Sequence, residues 1–169
     1  MNTPEWGLTI AYWLHMLATV VWIGGLAALA LVVLPAARRA LEPAGYAALL
    51  EALQRRLDPL AWLSLAVLVA TGLFQMSANP NYGGFFAVGN RWATAILIKH
   101  LVFAIMVAAS AYQTWGLLPG LRRIALRQAR GLATPEVEEL RKREMLLLNV
   151  NLVLAVIVLA LTAVARSAS

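Results

Sequence analysis

The chain has 169 residues, 62% of them hydrophobic and 13% charged, with a mean hydropathy of +0.74. A water-soluble domain of this length has no core large enough to hide so much apolar surface. The absence of cysteine excludes disulfides, iron–sulfur clusters and thiolate ligation, and the formal net charge of +6 is spread over connections between apolar segments, which does not make a nucleic-acid-binding stripe.

Four segments without acidic residues are long enough to span a bilayer, at about 7–34, 59–78, 92–118 and 145–165, since a span takes about 20 residues. They use the whole chain, 1–169, as a single domain. The expected fold is all-α: an integral membrane four-helix bundle, up-down-up-down. The first segment is too long for the apolar region of a signal peptide and follows no basic stretch, Glu5 being the only charged side chain ahead of it. It is read as a retained helix. It carries His15, with Tyr12, Thr19 and Trp22 at i−3, i+4 and i+7, so the four form one stripe.

The first connection, 35–58, carries Arg38, Arg39, Arg55 and Arg56. Within it, Tyr46-Ala-Ala-Leu-Leu-Glu-Ala-Leu-Gln-Arg-Arg-Leu57 has helical apolar spacing. It is predicted to extend the second helix along the headgroups. After the second span, Asn79-Pro-Asn-Tyr-Gly-Gly-Phe-Phe-Ala-Val-Gly-Asn90 has irregular turn chemistry. Its aromatics read first as an interfacial belt, with a cap on the mouth of the bundle as the alternative.

The third segment contains Lys99, the only Lys or Arg inside the four apolar spans, followed by His100. Ala104, Ala108 and Ala111 continue the His100 stripe, leaving room for a porphyrin face or for close helix packing. The second connection carries Arg122, Arg123, Arg127, Arg130, Arg141, Lys142 and Arg143. Gly131 is expected to stop one helix, with Thr134 as N-cap and Pro135 at the first position of the next. The fourth helix then enters the membrane near Met145, where Asn149 and Asn151 read as interhelical hydrogen-bond partners.

The stretch 77–91 offers only Arg91 and the C-terminal tail only Arg166. The positive-inside rule therefore predicts a multi-pass plasma (inner) membrane protein with both basic connections cytoplasmic and both termini outside.

His15 and His100 are the only histidines. Intramembrane ionisable groups are costly and mark function by default. Under this topology each lies eight residues into its span, roughly 12 Å below the outer boundary. Across a bundle diagonal of about 11–14 Å, two inward imidazoles suit the axial positions of a macrocycle better than a small ion. Tyr12 and Trp22 would pack on the ring, and Lys99, Arg91 or Arg166 would meet its propionates. A copper ion would instead use His15, His100 and Met16; the other methionines considered, Met76 and Met106, are scattered.

The run Trp13-Leu-His15-Met-Leu-Ala-Thr-Val-Val-Trp22-Ile-Gly24-Gly25, closing with Leu34-Pro35, resembles the first helix of the copper-resistance protein D (CopD-like) membrane family. Ala70-Thr-Gly72, Trp92 with Lys99, and the Glu144 lead into the fourth helix are similar to the same family's pattern. That resemblance implies copper handling or uptake across the inner membrane. A related pattern, histidine, six residues and tryptophan, with a later Leu-Pro-Arg, is found in HemJ-type protoporphyrinogen oxidases and implies haem b. Here Leu34-Pro35 is followed by Ala-Ala-Arg38, which displaces the arginine.

The expected function is a haem b protein with His15 and His100 as axial ligands, acting in electron transfer or in redox chemistry with a small molecule or quinone. The alternatives are a copper transporter or copper-binding protein, a HemJ-type oxidase, and a structural subunit whose histidines only bond neighbouring helices. Expected partners are the lipid bilayer, a quinone or separate redox protein, and a second copy in a homodimer; no nucleic acid is expected.

Overall fold

The computed structural model describes residues 5–129, Leu132 and residues 137–168. All regular structure among them is helical. Four helical stretches are long and apolar enough to cross a membrane: Glu5–Ala40, Ala48–Ser77, Arg91–Leu121 and Glu138–Ser167. The expected all-α, four-span fold is therefore present. The stop at Gly131 and the start at Thr134 and Pro135 lie outside the described residues.

The first span comprises α1 (Glu5–Ala28), a π-helical turn (Leu29–Val33) and α2 (Leu34–Ala40). The amphipathic stretch from Tyr46 is the beginning of α3 (Pro43–Ser77), which runs without interruption through Pro59. It is one helix with the second span, as the apolar spacing predicts. The third span is α4 (Arg91–Ala111), a second π-helical turn (Tyr112–Leu117) and α5 (Leu118–Ala129). The fourth is α6 (Val137–Ser167). The spans exceed the sequence limits because a helix continues past the hydrocarbon layer wherever its next residues still favour helix.

Between α3 and α4 the chain turns irregularly, as its Gly and Asn content dictates. The Asn79 carboxamide accepts from the Asn81 amide at 2.9 Å, and Gly84 takes a φ of +121° that a side chain would oppose. Asn90 caps α4, its Oδ1 accepting from the Ala93 amide at 2.7 Å.

The most extensive helix pairings are α1 on α3 and α4 on α6. Their seams use small residues, with Ala11 and Ala18 buried on α1 and Ala155 fully buried on α6. Lipid tails are as apolar as leucine, so close backbone approach and van der Waals packing hold such helices together. All four spans meet in a central cluster of Ala18, Trp22, Leu65, Leu68, Met106, Ala155 and Val158. There the Trp22 and Phe103 rings meet edge to face at 5.5 Å.

Separate clusters close the two ends. Ala30, Leu34, Ala37, Tyr46 and Leu148 pack where the first basic connection meets α6. Met76, Trp92, Ala93, Ala95 and Ala165 pack at the other end.

Candidate metal centre

His15 faces α3. Its Nδ1 lies 2.8 Å from Thr71 Oγ1, and the Thr71 hydroxyl donates to the Val67 carbonyl at 2.6 Å. The threonine oxygen therefore accepts, the imidazole proton sits on Nδ1, and Nε2 keeps the free lone pair of the neutral ring. A Cβ on Gly72 would lie 3.5 Å from His15 Cε1, so Gly72 gives the ring a close but unstrained floor. Gln75 Nε2 donates to the Ala11 carbonyl at 3.0 Å and fixes α3 to α1 one turn from the histidine.

His100 is held in a similar way. Its Nδ1 is 2.7 Å from the Ile96 carbonyl. A carbonyl only accepts, so this proton too is on Nδ1 and Nε2 is left as a base. The ring rests against Phe85 at 5.3 Å. Phe85 thus reaches back from the loop onto a candidate ligand, whereas Phe86 is 80% exposed in the manner of a belt residue.

The two imidazoles rest on different partners, Thr71 on α3 for His15 and the Ile96 carbonyl and Phe85 for His100. On α4 the buried side runs through Trp92, Ala95 and Met106, and Lys99 falls on that stripe by its spacing. Lys99 is half-buried on that stripe. His100, half-buried like Lys99, stands about 100° round from it, with buried Ala93 and core-packed Phe103 and Val107 at helical spacing on one side and exposed Ala104 and Ala108 on the other. Of the alanine stripe expected beside His100, Ala104 and Ala108 are exposed and Ala111 is half-buried.

The other expected site residues are dispersed. Tyr12 lies under the Arg166 guanidinium at 5.3 Å. Trp22 belongs to the central packing cluster. Arg91 is exposed at the first residue of α4. Met16, next to His15, is 60% exposed on the outside of the bundle, while Met76 and Met106 are buried in packing clusters. Among the described residues no three His, Cys, Asp or Glu side chains gather as a metal-ion site.

A second polar cluster, which sequence reasoning did not single out, lies at the opposite end. Glu144 on α6 is 1% exposed. The Arg38 guanidinium approaches its carboxylate to 3.8 Å, and the Tyr46 hydroxyl donates to it at 3.5 Å. Arg38 also donates to the Arg141 carbonyl at 3.0 Å. Burial pushes the Tyr46 phenol above its ordinary pKa, Glu144's charge adds to this, and Arg38 and Arg141 oppose it. The available signal was Glu144 itself, the last acidic residue before an apolar run, since a carboxylate there needs a partner. Asn151, expected as an interhelical partner, donates to Ser110 Oγ at 3.1 Å, whereas Asn149 is exposed.

Residues 51–165 match the family model described as copper resistance protein D. No curated protein and no solved structure matches the chain.

Proposed function

The chain belongs to the copper resistance protein D family, and we propose from this that it handles copper as cargo, with His15 and His100 offering imidazole Nε2 atoms to the ion. The observation that carries the reading is the paired tautomer. Each Nδ1 is committed to an oxygen acceptor, Thr71 Oγ1 or the Ile96 carbonyl. Metal-binding histidines are oriented in this manner by an outer partner. Neutral imidazole is a good copper ligand.

The ion would meet these residues as separate ligands, because each ring is held by its own partner on its own helix. A Lys99 cation in the same span as His100 would oppose tight retention of a second cation, which suits passage over storage. With the basic connections on the cytoplasmic side, the histidines lie in the outer half of the membrane.

The haem b reading needs both Nε2 atoms to face one interior slot. The exposure of Ala104 and Ala108, which the haem reading needs beside an interior slot, favours copper over it. The same imidazole tautomers keep haem as the second reading, with His15 and His100 as the residues that would hold it and redox chemistry as what it would supply.

Competition for Cu(I) against a chromophoric chelator, on detergent-purified protein, tests the proposal. Wild type should withdraw copper from the chelator, and His15→Ala should lose about tenfold or more in affinity, as expected for a lost ligand. Unchanged competition in both His15→Ala and His100→Ala overturns it. A Soret band in protein from haem-replete cells, lost in His100→Ala, would favour the haem reading instead.

A further inference from the structure

Between the central cluster and the Arg38–Glu144 pair lies a cavity of about 160 Å³ within the spans. That is close to the roughly 150 Å³ that holds one benzene ring in an apolar protein interior. Its wall is mainly leucine with Trp22 and Trp62, and Gln54, Ser110, Gln113 and Thr114 are among its polar lining residues.

Three observations say what fits. First, Asn151 borders the cavity and is 1% exposed, and among the described residues its Oδ1 has no hydrogen-bond partner although its Nδ2 donates to Ser110. A buried acceptor without a donor is destabilising by about 1–3 kcal/mol, so the missing group is an O–H or N–H. The Glu144 carboxylate, another acceptor, borders the same space.

Second, Gly25 also lines the cavity, and a Cβ built on it meets nothing within 4 Å. This glycine does not serve close helix packing; it leaves room. Third, the lining includes Val21 and Leu60, which are 46% and 49% exposed on the outside of the bundle. The cavity thus reaches the lipid-facing surface between the first two spans, and a ligand can come from the bilayer.

We propose that this cavity binds a lipid-soluble hydroquinone, its aromatic ring enclosed beside Trp22 and Trp62 and one hydroxyl donating to Asn151 Oδ1. The inference is independent of copper handling and asks only for binding. The oxidised quinone has carbonyl oxygens in place of both hydroxyls and cannot donate, so the Asn151 Oδ1 contact discriminates between the two forms, while either form can accept from Gln54, Gln113 or Thr114 in the lining.

The test is equilibrium dialysis of decylubiquinol, kept reduced, and of decylubiquinone against the purified full-length protein in nanodiscs. Wild type should bind the reduced form about five- to tenfold more tightly, the value of one neutral hydrogen bond. Asn151→Leu should abolish that preference. Gly25→Leu should block both forms while leaving Cu(I) competition unchanged, and its clearance makes it the variant of choice if Asn151→Leu does not fold. Equal affinity of wild type for the two forms overturns the proposal. So does decylubiquinol binding that survives Gly25→Leu. A copper-free but quinol-binding protein would overturn the copper reading alone.

Discussion

Arg38 stands 3.8 Å from the carboxylate of Glu144, and this pair joins the first basic connection to the start of the fourth span. Removing one partner of a buried pair leaves a charge that neither lipid nor protein solvates. Arg38→Ala should destabilise the bundle by about 3 kcal/mol, read as a lower thermal unfolding temperature in detergent. Replacing both residues with leucine should cost less than Arg38→Ala alone, because the stranded carboxylate goes as well. Equal loss in single and double variants would show that the two do not act as a pair.

Thr71 should matter to copper through His15 without touching the ion. Thr71→Val keeps the shape but removes the oxygen that accepts the Nδ1 proton. Outer partners of this kind are worth about 10- to 100-fold in metal affinity. Cu(I) competition should weaken accordingly, and Thr71→Ser, which retains the hydroxyl, should restore most of it.

The Tyr46 phenol is held above its ordinary value of 10.0. The folded state then binds the phenolic proton more tightly than the unfolded chain does. This contribution is full below the unfolded pKa and is lost as pH rises through the folded one. Unfolding temperature should therefore fall as pH rises above about 10. Tyr46→Phe should flatten that part of the profile.

Ala155 has no exposed surface and sits in the cluster shared by all four spans. Ala155→Leu should force neighbouring helices apart at a cost of about 1–3 kcal/mol. Leucine at exposed Val156, one position on, should leave unfolding temperature unchanged within error.

The four spans could be read from the sequence because apolar length and arginine placement are local properties. So was the helix from Tyr46, whose spacing is unbroken up to the membrane. His15 stood out by its setting. The setting of His100 did not, because it and neighbouring Lys99 are both half-buried, and only contact with the loop residue Phe85 and the Ile96 carbonyl distinguishes its place. The cavity was not visible either. It depends on Gly25 facing open space and on one atom of Asn151, and a linear pattern distinguishes neither from ordinary helix packing. The capping role of Asn90 had a local signal in its side chain and position, but the segment read only as a turn.

The π-helical turns have a final consequence. In one, the Leu34 amide donates to the Leu29 carbonyl, and in the other the Leu118 amide donates to the Gln113 carbonyl, each five residues back. A π turn accommodates one residue more than an α turn, which resets the angular phase of everything beyond it by about 100°. A helical wheel drawn from His15 therefore misplaces Arg38, and one drawn from His100 misplaces Leu118. The first and third spans each run in two phases, one serving the histidine end and one serving the arginine end. Deleting a single residue within Leu29–Val33 would remove the extra residue and leave one α-helix with both ends in their present orientations, whereas deleting one from the α-helical part of the first span would swing Arg38 away from Glu144 by about 100°, although no side chain at either end had been altered.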